Sequence, residues 1–362
     1  MSRQAANSPI RVLIVDDSAF MRTAISRMIA SDPNISIVGT AASGMEALEK
    51  IPTLNPDVIT LDVQMPGLDG LETLSRIMAE FPRPVIMVSS LTLKDAETTF
   101  SALAAGAFDY VPKELSSASL NILHLQNDLI AKIKAAAASG LRRAAVIAPR
   151  KLARAASNPM RDASLSAPAI VAIGVSTGGP KALQEILPLL PADLPLPILI
   201  VQHMPAGFTE PFARRLDSLC AVAVCEAKHG RVIQPGVVYI APAGTHLTVD
   251  RGSSRTVLCL SDKPENQLHI PSVDVLMHSV ASAFRSLAMG IIMTGMGLDG
   301  AQGMKAIHGE GGFTVGQDEP SCTVYGMPRA CAELGILDRV VPLAEIPHEI
   351  LHAMHYRRAS VS

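Results

Sequence analysis

Four apolar runs near the start of the chain end in residues that could do chemistry together. Asp16 and Asp17 follow RVLIV, Asp62 follows DVITL, Ser89 and Ser90 close PVIMVS, and Tyr110 and Lys113 fall at the end of FDYV. If the runs are neighbouring strands of one parallel sheet, their carboxyl ends bring these side chains together. Clustered carboxylates repel unless a hard cation sits among them, and Mg²⁺ with its oxygen ligands suits such a site. A hydroxyl and an ammonium converging there could receive the oxygens of a phosphoryl group, with Asp62 as the nucleophile of an aspartyl phosphate. Each residue alone also has a structural use: Asp17, for example, could simply cap a helix starting at Ser18. Their joint placement at successive strand ends favours the chemical reading.

A second set lies further along. Gly174-Val175-Ser176-Thr177-Gly178 satisfies GxSxG, which puts a serine on a sharp turn between strand and helix. The following helix N-terminus supplies backbone N–H groups suited to an oxyanion. A serine hydroxyl needs a base, and the base needs an orienting acceptor. His203 follows PILIVQ, and Asp299 lies in MTGMGLDG, so Ser, His and Asp each follow a buried-type strand. The order Ser…His…Asp is not that of the α/β-hydrolases, which run Ser…Asp…His. Two other uses of the turn stay open: Ser176 and Thr177 as helix caps, or a Gly-rich loop holding a dinucleotide. Against the dinucleotide, the turn lacks GxGxxG, and the next strand ends in Gln202-His203 with no acid for a ribose.

Positioning these residues takes an α/β fold. In the first part, strand-like runs at 11–15, 35–39, 57–61, 84–89 and 108–111 alternate with helical patterns, which predicts a (βα)5, flavodoxin-like parallel sheet covered on both faces. In the second part, runs at 169–174, 197–202 and 288–295 predict a doubly wound, mainly parallel sheet. The shorter runs AVAVCEA, GVVYIAP, HLTVD and RTVLCL within 222–260 suit a small antiparallel insertion. Between the parts, residues 132–161 hold eight basic residues and no acidic one. LIAKIKAAAASG reads as the end of a helix stopped by Gly140, and the residues beyond it read as a solvated tether. The expected division is therefore 8–138, a linker over 139–166, and 167–357. His229, His246 and His269 lie in polar or turn contexts and read as surface or packing residues. His278 and His308 fall in helical segments, and His352 and His355 are too close to each other and to the chain end for a metal site.

Composition narrows the function classes. The 362 residues are 48% hydrophobic and 18% charged, which excludes global disorder. Lys plus Arg is 31 against 33 Asp plus Glu, a net charge of −2, which disfavours a nucleic-acid partner. The start MSRQAANSPI has no apolar core, so it does not read as a secretory signal, and no apolar run approaches the ~20 residues of a membrane span. The five cysteines form no CxxC pair, and reduced thiols in the cytoplasm are expected.

The motifs carry a resemblance. Residues 11–125, with Asp16-Asp17, LDVQMPGLDG (61–70), Ser89, Tyr110 and Lys113, resemble a response-regulator receiver domain. They depart from it in that Pro112 precedes Lys113 rather than following it. The resemblance implies that a histidine kinase phosphorylates Asp62. It implies that Asp17, Asp62 and the backbone carbonyl of Gln64 hold Mg²⁺, with Asp16 acting partly through water. Ser89 and Lys113 would contact the phosphoryl oxygens, and Tyr110 would be the aromatic switch. Residues 168–350, with GVSTGGP (174–180), VQHMPAGFT (201–209), MTGMGLDG (293–300) and QDEPSCTVYGMPRA (317–330), resemble the catalytic domain of the CheB protein-glutamate methylesterases. That resemblance implies hydrolysis of glutamyl methyl esters, and deamidation of glutamines, on the cytoplasmic helices of methyl-accepting chemoreceptors. Ser176 would attack, His203 would take its proton, Asp299 would orient His203, and the Met296 N–H would meet the oxyanion. No metal is expected in that step. A cytoplasmic monomer without membrane insertion is implied. In relatives the unphosphorylated receiver covers the esterase cleft, so phosphorylation is expected to activate.

Other functions remain in view: a receiver-controlled hydrolase of a different ester or amide, a non-catalytic phosphorylation-dependent adaptor, and a nicotinamide dehydrogenase binding at 174–179. A binding module has no use for an intact Ser176, His203 and Asp299 set, which weighs against the adaptor.

Overall fold

Uninterrupted β-branched runs have no face to give to water, so each must lie inside a sheet covered on both sides. The computed structural model describes residues 8–90, 92–113, 119–145, 167–252, 255–265 and 267–355, in two units divided between Leu152 and Ala153.

In the first unit the elements alternate: β1 (Ile10–Val15), α1 (Ala19–Ile29), β2 (Ile35–Ala41), α2 (Gly44–Leu54), β3 (Val58–Asp62), α3 (Gly70–Glu80), β4 (Val85–Ser89), α4 (Leu93–Ala104), β5 (Asp109–Pro112) and α5 (Ser119–Ala145). The sheet is wholly parallel in the order β2-β1-β3-β4-β5. Alternate strand residues point to opposite faces. Val12 and Ile14 of β1 accordingly join Ile25 and Ile29 of α1 and Leu129 and Ile133 of α5 in one buried cluster. The order reverses between β1 and β3, and a crevice opens beyond their carboxyl ends at such a reversal. Asp16, Asp17 and Asp62 lie there. Gly140 does not stop α5, which continues to Ala145. A glycine within a helix costs only about 1 kcal/mol relative to alanine, and the run from Ala135 to Ala138 and the residues after Gly140 are good helix formers. The tether expected over 139–166 lies, past Ala145, outside the described residues.

The second unit contains β6 (Ile170–Val175), α6 (Gly179–Ile186), β7 (Ile198–Gln202), α7 (Thr209–Leu219), β8 (Ala223–Glu226), β9 (Val237–Ile240), β10 (His246–Arg251), β11 (Thr256–Ser261), α8 (Val273–Phe284), β12 (Ala288–Ile292), α9 (Ala301–Gly309), β13 (Phe313–Gln317), α10 (Met327–Glu333), β14 (Arg339–Val341) and α11 (Ile346–His355). Seven strands form a parallel sheet in the order β14-β13-β12-β6-β7-β9-β8. Among the strands described, β10 and β11 pair antiparallel as a separate hairpin, to which Val232 adds one antiparallel bridge at Val257. AVAVCEA and GVVYIAP, expected in that insertion, instead become β8 and β9 at one edge of the parallel sheet. A four-residue apolar run satisfies either pairing, so its sequence does not distinguish them. β13 and β14, unanticipated, extend the other edge. The core joins Ile170, Leu199 and Tyr239 of the sheet to Leu276, Met277 and Val280 of α8 and Met304 and Ile307 of α9. Among the described residues, no helix is long and apolar enough to cross a membrane.

Candidate functional site

The first unit gathers its charged groups where the sheet order reverses. Carboxylate oxygens of Asp16, Asp17 and Asp62 lie within 4.8 Å of one another, with Asp16 and Asp62 buried and Asp17 exposed. The Lys113 ammonium lies 3.0 Å from Asp16 Oδ2 and 2.7 Å from Asp62 Oδ1. The Gln64 N–H donates to Asp62 Oδ1, and the Ser18 N–H to Asp16 Oδ1. Burial pushes the Asp62 carboxyl up to about 6 despite the pull of Lys113. Burial acts to lower the Lys113 ammonium, yet Asp62 and Asp16 outweigh it and hold the ammonium above its usual range. Asp62 Oδ2 is buried without a hydrogen-bond partner. Three convergent carboxylates with an open oxygen on Asp62 fit a hard, oxygen-liganded cation.

The hydroxyls expected at this site are engaged elsewhere. Ser89 is fully buried; its hydroxyl accepts from Thr99 Oγ1 at 2.8 Å and donates to the Ser90 carbonyl at 3.2 Å. The neighbouring Ser90 hydroxyl donates to Asp95. Sequence reasoning missed Asp95: its buried carboxylate accepts from Ser90, Thr92 and the Gln64 side chain, tying the loop after β3 to the start of α4. Tyr110 is buried near the start of β5, with the Lys132 ammonium 5.4 Å from its ring centroid; burial raises the phenol well above its usual range.

In the second unit, the register Val175↔Gln202 makes Ser176 and His203 the next residues on adjacent strands. The His203 N–H donates to the Val175 carbonyl, and the Ser176 N–H donates to the Thr294 carbonyl just past β12. β6 therefore lies between β7, which carries His203, and β12, whose following loop carries Asp299. Gly295 is pressed close to Ser176: a Cβ there would meet Ser176 Cβ at 2.9 Å and collide with the Met327 sulfur. The N–H groups of Thr177 and Met296 are not taken up by any acceptor among the described residues.

His203 Nε2 lies 2.8 Å from Asp299 Oδ2. His203 Nδ1 is buried and has no hydrogen-bond partner, so Ser176 Oγ is not bonded to it here. Such a bond is often loose before substrate arrives. Asp299 also accepts from the Ser272 hydroxyl at 2.8 Å, the Val273 N–H at 2.8 Å and the Asp274 N–H at 3.0 Å, all at the N-terminus of α8. Burial acts to raise this carboxyl, but His203 and the backbone donors outweigh it and hold it well below the usual carboxylate range. These donors were not legible in the sequence, nor were two histidines. His246 is fully buried, accepting from the Ser272 N–H and facing the Pro264 carbonyl. His269 is half-buried and its ring stacks on His203.

Comparisons with known proteins match both units. The CheB methylesterase family covers residues 171–350 and the response regulator receiver domain family covers residues 12–123. A protein-glutamate methylesterase/protein-glutamine glutaminase of Oleidesulfovibrio alaskensis is 45% identical over 96% of this chain and its own full length. One of Nitratidesulfovibrio vulgaris is 46% identical with the same coverage. The crystal structure of the Thermotoga maritima CheB methylesterase catalytic domain covers 52% of this chain and 99% of its own, at 38% identity and a TM-score of 0.50.

Proposed function

The chain belongs to the CheB methylesterase family, and from that membership we propose that it hydrolyses glutamate 5-O-methyl esters, and deamidates glutamines, on chemoreceptors, under control of phosphorylation at Asp62. The observation that most supports this reading is the placement of Ser176, His203 and Asp299 at the carboxyl ends of three adjoining strands, with His203 bonded to Asp299 through one nitrogen only.

In the proposed reaction Ser176 Oγ attacks the ester carbonyl while His203 Nδ1, the open nitrogen, takes its proton. Asp299, held ionised by His203 and the α8 donors, fixes the imidazole orientation and stabilises the imidazolium that forms. The N–H groups of Met296 and Thr177 meet the oxyanion, each such donor typically worth ~3 kcal/mol in the transition state. His203 then returns the proton to the departing methoxide, releasing methanol. Water, deprotonated by the same nitrogen, cleaves the Ser176 ester to give glutamate. A glutamine follows the same path and releases ammonia.

In the receiver, Asp16, Asp17, Asp62 and the Gln64 carbonyl would hold Mg²⁺. When bound, the cation offsets charge gathering between the Asp62 carboxylate and an incoming phosphoryl group. Lys113 pairs with the phosphoryl oxygens, Ser89 turns its hydroxyl toward them, and Tyr110 responds by changing its ring position. A chemotaxis histidine kinase supplies the phosphoryl group. The reaction takes place in the cytoplasm.

A fluorophosphonate probe tests the nucleophile. Incubated with the full chain and followed by peptide mass spectrometry, it should modify Ser176, and Ser176→Ala should remain unmodified. Labelling of another serine, or none, contradicts the assignment.

A further inference from the structure

His269 lies outside the residues given chemistry above, yet its ring covers one face of His203. The ring centroids are 4.1 Å apart and the planes meet at 18°, a parallel stack. His203 is otherwise held at one edge: Nε2 faces Asp299 at 2.8 Å, and the Nδ1 side has no hydrogen bond. Rotation of an imidazole about its Cβ–Cγ bond has a broad, shallow profile, so an edge contact alone leaves the ring plane poorly defined. A second ring lying flat against it removes that freedom on one side and keeps solvent off that face; the His203 side chain is only 9% exposed.

We infer that His269 is a positioning residue for His203: its stacked ring fixes the imidazole plane, so that Nδ1 is held ready to take the Ser176 proton while Nε2 stays on Asp299. The inference deepens the esterase reading and rests on it. Asp299 locates the ring along its edge, and His269 sets its tilt. The two constraints come from different segments, the loop after β12 and the stretch between β11 and α8. That stretch is exposed as far as Leu268, which is 82% exposed, then turns inward; His269 is half-buried and is not part of the buried cluster beneath the sheet. A substitution at 269 therefore removes no side chain from that cluster.

The test compares the full chain with His269→Ala and His269→Phe, the second keeping a flat ring without the imidazole nitrogens. Steady-state hydrolysis of a methyl-esterified receptor fragment is measured together with the proton chemical shifts of the His203 ring. Misplacing a catalytic group by a fraction of an ångström costs rate rather than binding, so His269→Ala should lower kcat by about tenfold with KM changed less than about twofold. His269→Phe should recover most of the loss. The upfield ring-current shift of the His203 protons should vanish in the Ala variant and persist in the Phe variant. Wild-type kcat in His269→Ala, or a Phe variant no better than Ala, would overturn the inference. A missing ring-current shift in an active wild-type chain would also overturn it. A wild-type chain with the shift but no ester turnover would instead overturn the esterase reading, and the inference with it.

Discussion

The Ser272 hydroxyl donates to Asp299 Oδ1 at 2.8 Å, so the residue that caps helix α8 also holds the carboxylate facing His203. Ser272 is itself fixed from behind, its N–H donating to His246 Nδ1 at 3.1 Å. Removing one donor from a buried polar group typically costs about 1–3 kcal/mol. Ser272→Ala should therefore lower kcat by about tenfold and, through the lost cap, reduce stability by about 1 kcal/mol. Ser272→Thr keeps both bonds and should stay close to wild type. Ester kinetics and thermal melting of the three chains check this. Equal rates in Ser272→Ala and wild type would show that the backbone donors alone suffice for Asp299.

Gly295 sits where a side chain has no room. A Cβ there would collide with the Met327 sulfur and come within 2.9 Å of Ser176 Cβ. Gly295→Ala must displace either Met327 or the nucleophile, and the Met296 N–H moves with it. We expect at least about a 100-fold loss of kcat, with an unchanged circular dichroism spectrum. The comparison is with Gly297→Ala, where the added Cβ meets nothing within 4 Å and only the positive φ of 84° opposes it. That variant should lose stability more than rate.

Asp62 makes stability depend on pH in a direction opposite to that of an ordinary ion-paired aspartate. Its carboxyl is pushed up by burial from 3.8 to about 6. The folded chain thus holds this proton more tightly than the unfolded chain. The favourable contribution is complete below pH 3.8 and is lost as pH rises through 6. Asp62→Asn removes that titration. Without Mg²⁺ it should stabilise the first unit by about 1–3 kcal/mol at pH 7.5, and the advantage should shrink towards pH 4. Thermal unfolding at pH 4.5, 6.0 and 7.5 reads this directly; a difference independent of pH would assign the effect to something other than ionisation.

Removing the divalent cation should stop phosphorylation without touching the esterase machinery. Cation binding offsets several kcal/mol of charge at such a site. With excess EDTA, phosphate incorporation from acetyl phosphate should therefore fall by at least about 100-fold. Asp17→Asn, which removes the exposed member of the carboxylate cluster, should mimic EDTA. Basal ester turnover should be unchanged in both cases.

The strands that carry these residues were legible because parallel strands covered on both faces are written as continuous apolar runs, as in RVLIV and PILIVQ. The residues following them were legible because chemistry collects at strand ends. What failed was local or long-range. The short runs at 223–226 and 237–240 carry no mark of parallel or antiparallel pairing, and their place at the sheet edge is decided by β7. Gly140 carried a helix-stop signal that its neighbours override. Asp95, Ser272, His246 and His269 act through partners up to about 70 residues away, a distance at which no spacing rule operates. His269 read as a surface or packing residue because its partner, His203, follows a strand whose nearness to the loop before α8 exists only in the fold.

The most direct measurement of the central claim is methanol release from a methylated chemoreceptor fragment by the full chain, with and without Mg²⁺ plus acetyl phosphate, using Ser176→Ala as the blank. The account predicts release that rises with the phosphodonor, loses that rise in Asp62→Asn, and vanishes in the Ser176→Ala blank. Release that persists in Ser176→Ala, or no release from the wild-type chain under any condition, would contradict it.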